Sequence, residues 1–349
     1  MFLYDNKIWQ DDLDRTISVL PDLANLSDKR ILITGAAGLI CSAVVDVLCR
    51  YNDTHNSGIK VYVAGRSQAK MEKRFQLERP DIFFVPYDAS RSGNIFEEHY
   101  DYIIHGASNA SPNHIVKEPV ETMISNFIGM KELFDYAREH QTKRVLYVST
   151  SEVYGKKEHD RPSKVDEYGW IDLLNPRNSY SIGKCAAETL CASYYDEYGV
   201  DSVIVRPGHI YGPTALTTDN RVSSAWAYAV ARGEDIVMKS DGSQIRSYCH
   251  CLDSASAILK VLLCGTPVRA YNISNPNSII SIRQMAEILA KSAGVELRME
   301  LPSDEEKKGF NPMSNSSLDS TELLELGWEG LFDAETGFAH TVEILKELI

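Results

Sequence analysis

No run of about 18 apolar residues, the length a membrane-spanning helix needs, occurs anywhere in the 349-residue chain. The first residues, MFLYDNKIWQDDLDR, also lack the apolar core of a signal peptide, so the cytoplasm is the expected location. Basic charge is scarce: 36 Lys and Arg stand against 49 Asp and Glu, a net charge of −13. So acidic a chain repels nucleic acid and anionic membranes, and neither is an expected partner. Any phosphate it binds must be held locally, by backbone amides and a few arginines. Paired cysteines are missing as well. Cys41, Cys49, Cys185, Cys191, Cys249, Cys251 and Cys264 form no CxxC motif, and an odd number without ligand spacing reads as reduced thiols. Cys249 and Cys251 flank His250 on an expected strand. They would face opposite sides of it, so no metal site is expected. Internal repeats and low-complexity tracts are absent too.

What is present is a rhythm. Short apolar runs at Arg30–Thr34, Val61–Ala64, Ile82–Val85, Tyr102–His105, Arg144–Ser149 and Ser202–Arg206 read as strands. Helical spacing separates several of them, over Leu39–Arg50, Val120–Glu139 and Tyr180–Tyr198. Strands that are apolar throughout, alternating with helices, imply a parallel sheet covered on both faces. The expected fold is α/β, a doubly wound Rossmann sheet with a smaller C-terminal α+β substrate domain. The expected divisions are an N-terminal extension over 1–28 with one short helix from Leu13 to Leu23, a dinucleotide-binding domain over 29–214, and a smaller substrate-binding region over 215–349. Some elements of that last region could rejoin the main sheet.

Three stretches carry chemistry. Thr34-Gly35-Ala36-Ala37-Gly38-Leu39-Ile40-Cys41 lies between a strand and a helix, where glycines let a pyrophosphate approach a helix N-terminus. Cys41 replaces the usual third small residue but is itself small. Gly65-Arg66-Ser67 ends the second strand without the acidic residue that would bond ribose hydroxyls, and Arg66 suits a 2′-phosphate. Ser149-Thr150-Ser151-Glu152-Val153-Tyr154-Gly155 ends a strand, and Tyr180-Ser181-Ile182-Gly183-Lys184 opens a helix. Tyr180 and Lys184, four apart, share one helical face. An adjacent ammonium would lower the phenol's pKa toward a usable base, with Thr150 bonding the same substrate oxygen. His105 reads as a packing residue, and Glu152 as an acid/base or orienting group.

On these motifs the chain resembles the extended short-chain dehydrogenase/reductase family, the nucleotide-sugar epimerases and dehydratases, from about Arg30 to Trp328. The resemblance implies NAD or NADP as cofactor, with Arg66 favouring NADP. Gly35, Ala37, Gly38, Leu39, Ile40, Arg66, Asp88, Ala89, Ala107, Ser108, Tyr180, Lys184 and Pro207 would bind it. Tyr180, Lys184, Thr150 and Glu152 would be catalytic. Ser151, Asn109, His209, Arg221 and Arg246 would bind a nucleotide sugar, with Arg177 a secondary candidate. Within the family the text Ala107-Ser108-Asn109-Ala110-Ser111-Pro112, STSEVYG and Asp219-Asn220-Arg221-Val222 is most similar to UDP-glucuronate decarboxylases. Ser151 stands where the 4,6-dehydratases carry the first residue of an acidic pair, which argues against dehydration. Arg66, Thr214 and His209 depart from the decarboxylase pattern.

The resemblance thus implies chemistry through a 4-keto sugar, ending in epimerisation or decarboxylation. The alternatives are a net NADPH-dependent reductase of a CDP- or UDP-linked sugar and a cofactor-sensing protein without catalysis. Apolar residues on two faces of the long helices, such as Phe127 and Phe134, or Leu190 and Tyr194, leave one face free to pack on a partner. Since relatives commonly pair these helices, a homodimer through a four-helix bundle is expected.

Overall fold

The computed structural model describes residues 2–108, 112–300 and 313–349, and for 112–114 the backbone only. The strands are β1 (Arg30–Thr34), β2 (Lys60–Gly65), β3 (Ile82–Pro86), β4 (Tyr102–His105), β5 (Arg144–Val148), β6 (Ser202–Pro207), β7 (His209–Tyr211), β8 (Ile236–Met238), β9 (Ile245–His250), β10 (Ala270–Ile273), β11 (Ile279–Ser281) and β12 (Leu297–Met299). The helices are α1 (Lys7–Ser18), α2 (Leu39–His55), α3 (Gln68–Arg74), α4 (Pro112–Lys117), α5 (Pro119–His140), α6 (Ser179–Tyr198), α7 (Val222–Ala231), α8 (Cys251–Cys264), α9 (Ile282–Ala293), α10 (Thr321–Glu325) and α11 (Ala334–Leu348).

Seven parallel strands form the main sheet in the order β3-β2-β1-β4-β5-β6-β10. The order reverses at β1, so β1 and β4 diverge there and leave a crevice at their C-terminal ends, where such sheets bind ligands. Side chains alternate across each strand. Ile31 and Ile33 of β1 join the apolar cluster that includes α2 and α8, and Leu32 joins the one that includes α5 and α6. This two-sided burial is what makes each strand apolar along its whole length. The expected Rossmann fold is therefore present. β10 comes from the stretch after residue 214 and joins the main sheet beside β6. The same stretch supplies β9, which pairs with β7 and β11, and the two-stranded β8–β12 sheet.

Two expectations are corrected. The N-terminal helix is α1, Lys7–Ser18, not Leu13–Leu23. The Asn6 side chain caps it by accepting from the Trp9 amide at 3.0 Å, and after it Pro21 opens a separate 3₁₀ turn, Pro21–Leu26. Trp9, fully buried, donates its indole N–H to Asp46 of α2 at 2.9 Å, so the extension packs into the core. Second, the strand holding Cys249 ends at His250, and Cys251 is the first residue of α8. The chain changes from strand to helix there, so strand alternation does not relate the two thiols. Asn109 lies outside the described residues.

Candidate active site

The turn from β1 to α2 is set by close backbone approach. Gly35 has φ +67°, and a Cβ there would come within 2.8 Å of Gly106 and the Ala107 amide nitrogen. Glycine is therefore needed on two counts: the left-handed backbone and the contact between the β1 and β4 loops. The Gly38 amide closes the turn on the Gly35 carbonyl at 2.9 Å. No side chain caps α2, which leaves the amides at its N-terminus open to an anion. The Ala107 amide donates to Thr34 Oγ1 at 3.2 Å, and a 2.7 Å hydrogen bond joins that hydroxyl to His105 Nδ1. Burial, with the Lys184 charge, depresses His105 to about 3, so it stays neutral and supports the loop. Cys41 lies under Gly106, where an added Cβ would meet its Sγ at 2.3 Å. The small third residue of the motif thus faces the neighbouring loop. Ser108 Oγ is buried and has no hydrogen-bond partner among the described residues. Open amides and an orphaned hydroxyl beside a glycine turn suit a dinucleotide diphosphate.

At the other end of this crevice, Arg66 is exposed at the end of β2, and Ser67 caps α3. Burial raises the Asp88 carboxyl, but Ser90 and the charges of Arg66 and Arg91 outweigh it and leave the carboxyl below its usual range. The Arg66 charge therefore acts on Asp88.

The chemistry-bearing residues meet where β5 ends and α6 begins. Thr150 Oγ1 accepts the Glu152 amide at 3.3 Å. Tyr180 and Lys184 are 7% and 2% exposed. Burial lifts the Tyr180 phenol above its usual range and the Glu152 carboxylate lifts it further, while Thr150 and the Arg221 charge oppose both. Lys184 does not lower the phenol as the spacing suggested. Its Nζ is 5.7 Å from the Tyr180 ring centre and donates to the Val148 carbonyl at 2.8 Å. Burial depresses Lys184 to about 7. Glu152 follows Thr150 at the end of β5 and is exposed in the folded chain. Desolvation by the protein around it raises its carboxyl, against the Ser181 hydroxyl at 3.2 Å and the Arg177 charge. Ser151 is half-buried beside it.

Arg246 lies on β9, His209 opens β7 and Arg221 stands at the N-cap of α7. Arg246 is 4% exposed and donates to the carbonyls of Ile245 and Met313 at 2.9 and 3.2 Å. It pairs with no carboxylate among the described residues, so it is not the surface arginine of a β-turn. Burial, together with the charges of Arg246 and Arg221, holds His209 near 3. Its Nδ1 is buried without a described partner. Arg221 pairs with Asp219 at 2.5 Å. Pro207 is buried at the end of β6. Charge interactions link these residues: Arg221 acts on both Tyr180 and His209, Arg177 on Glu152, and Arg246 on His209. Ser181 was missed because a serine next to the tyrosine carries no pattern of its own.

Residues 31–274 match the model of the NAD dependent epimerase/dehydratase family. The chain belongs to that family. Among its relatives, UDP-glucuronic acid decarboxylase 6 of Arabidopsis thaliana is 30% identical over 311 residues, covering 87% of this chain and 84% of the relative. UDP-glucuronic acid decarboxylase 1 of Xenopus tropicalis is 28% identical over 329 residues, 93% and 74% of the two chains. UDP-glucose 4-epimerase of Thermotoga maritima, solved with UDP-glucose, superposes with a TM-score of 0.76 at 25% identity over 91% of this chain and 99% of that one. The dTDP-glucose 4,6-dehydratase DesIV of Streptomyces venezuelae, solved with NAD and TYD, shares the fold with a TM-score of 0.75 at 24% identity, over 91% and 97%.

The depressed Lys184 has a consequence for this family member's stability. Between about pH 7 and 10.5 the unfolded chain holds the lysine proton and the folded chain does not, so folding gains from each rise in pH across that window. In protein dialysed free of dinucleotide, the stability of the wild type relative to Lys184→Met should rise by up to about 1.4 kcal/mol per pH unit between pH 7 and 10. Urea unfolding at each pH measures it. A difference that does not change with pH contradicts the buried, depressed amine.

Proposed function

We propose that this enzyme converts a nucleoside-diphosphate sugar through a 4-keto intermediate and consumes no nicotinamide. The observation that carries the reading is the grouping of Tyr180, Thr150 and Glu152 at the end of β5, with the Arg221 charge acting on Tyr180 and the Arg177 charge on Glu152. Tyr180 takes the proton of the sugar C4 hydroxyl, and Thr150 donates a hydrogen bond to the same oxygen. Lys184 holds the ribose next to the nicotinamide. When bound, the nicotinamide supplies a reversible hydride acceptor. Gly35, Ala37, Gly38, Leu39 and Ile40 seat the diphosphate, Ala107, Ser108 and Pro207 line the path to the ribose, and Asp88 with Ala89 meets the adenine. Arg246, Arg221, His209, Ser151 and Asn109 hold the nucleotide sugar. Glu152, whose carboxyl is raised by desolvation, stands beside the sugar as the acid/base group.

UDP-glucuronate is the favoured substrate. The curated relatives at about 30% identity are named as its decarboxylases, and a uronate's carboxylate suits Arg246, which pairs with no carboxylate among the described residues. UDP-hexose epimerisation uses the same first step. One observation favours a second reading, net reduction with NADPH: Arg66 is exposed at the end of β2, where NAD-specific sites place an acid. The two readings differ in stoichiometry. On turnover of UDP-glucuronate, UDP-glucose or UDP-galactose, the reduced-nicotinamide absorbance should stay flat. A fall proportional to product formed establishes the reductase and removes the 4-keto cycle.

The protein is also proposed to be a cytoplasmic homodimer. All seven cysteines are free thiols, and no helix among the described residues is long and apolar enough to cross a membrane. α5 and α6 pack on each other, with Phe134 stacked on Tyr194 at 4.8 Å beneath them. Their outer side exposes Val120, Met123, Ile124 and Phe127 of α5, with Tyr195 and Tyr198 of α6. An apolar stripe on paired helices is the surface that a two-fold four-helix bundle buries. Light scattering should give twice 39.1 kDa, and Phe127→Glu should halve the mass. A monomeric wild type at micromolar concentration contradicts the dimer.

A further inference from the structure

Arg206, at the end of β6, is 2% exposed. A guanidinium carries five N–H donors, and here each one has an acceptor. Nε and Nη2 bind the two oxygens of Glu188 at 3.0 and 2.6 Å. Nη2 also reaches the Tyr168 hydroxyl at 2.9 Å, and Nη1 reaches the Tyr154 hydroxyl at 3.1 Å and the Val165 carbonyl at 2.7 Å. Glu188 accepts further from Ser149 Oγ at 2.5 Å. The Tyr154 hydroxyl passes its own proton to Asn272 of β10 at 2.5 Å.

The placement of this network matters more than its strength. Glu188 lies four residues after Lys184 and eight after Tyr180, so all three follow one face of α6. Ser149 lies between Val148, whose carbonyl takes the Lys184 ammonium, and Thr150. α6 is therefore tied to the end of β5 at two successive helical turns, and Arg206 anchors the second tie to β6. A buried ion pair is weak evidence of stability, because apolar replacements of both partners often fold as well or better. What apolar groups cannot reproduce is the bidentate geometry.

We propose that the Arg206–Glu188 pair, with Ser149, is a positioning device that sets the separation of Tyr180 and Lys184 on α6 from Thr150 on the strand end. It rests on the reading of Tyr180 as the base. Misplacing a reacting group by about 1 Å costs on the order of 10²-fold in rate, so small errors in this separation should appear in kcat.

The test uses the full-length enzyme loaded with dinucleotide and assayed on UDP-glucuronate, UDP-glucose and UDP-galactose. The variants are Glu188→Leu with Arg206→Met, Ser149→Ala, and Tyr180→Phe as reference. The double variant should unfold near the wild-type midpoint and keep KM within about threefold, while kcat falls at least about 30-fold. Ser149→Ala should lower kcat about 10-fold with KM unchanged. If either variant keeps wild-type kcat while Tyr180→Phe is inactive, the positioning role is overturned and the base assignment stands. If the double variant does not fold, Ser149→Ala alone decides. An active Tyr180→Phe, or a wild type that turns over none of the three sugars, overturns the underlying reading and this inference with it.

Discussion

The site depends on how the buried face of α6 meets the end of β5. A lysine removed from water must give its proton a fixed partner or lose it. Lys184 does part of each, donating to the Val148 carbonyl while its affinity for the proton drops to about 7. That bond sets the helix on the strand, and the strand end carries Thr150 and Glu152. Tyr180 is one turn before Lys184 on the same face. The parallel sheet brings β1 and β4 to the same edge, so the Gly35–Gly106 contact places the dinucleotide turn beside the helix that holds the base. The Lys184–Val148 bond and the Ser149–Glu188–Arg206 tie one turn on fix the phenol against the strand end, and the sheet provides its surroundings.

Electrostatics then separate the general from the local. The chain as a whole is acidic, and its long-range field opposes an anionic ligand. Locally, Arg246 is buried without a carboxylate partner among the described residues, while Arg221 is paired with Asp219. His209 is kept neutral by burial and by those same cations, so it offers hydrogen bonds and adds no charge.

How far the residues disclosed this depends on where each signal lay. β1 to β6 were legible because strands buried on both faces are apolar throughout, and glycine at Gly35 and Gly38 marked the turn. The YxxxK pair was legible because its spacing is local to one helix. The start of α1 is set by the Asn6 cap, and its first apolar residues, Ile8 and Trp9, are separated from Leu13 by polar positions. Cys249 to Cys251 were read as one strand because the run Tyr248–Leu252 is apolar enough for either strand or helix. The three-residue strands β7, β8, β11 and β12 are too short for any period to show. The Arg206–Glu188 pair escaped notice because its partners lie on different elements, and only the folded sheet brings them together. Phe127 and Phe134 were both legible as apolar, but only packing shows which of them faces outward.

The central claim is that Tyr180 and a bound nicotinamide oxidise the sugar at C4 and later return the same hydride. Turnover of a UDP-sugar carrying deuterium at C4, followed by mass spectrometry and proton NMR of the product, tests this directly. The account predicts that deuterium stays at C4 in ordinary water, with a slowed rate for the labelled sugar. Loss of the label to solvent, or a product whose C4 hydrogen never leaves while Tyr180→Phe works normally, would contradict it.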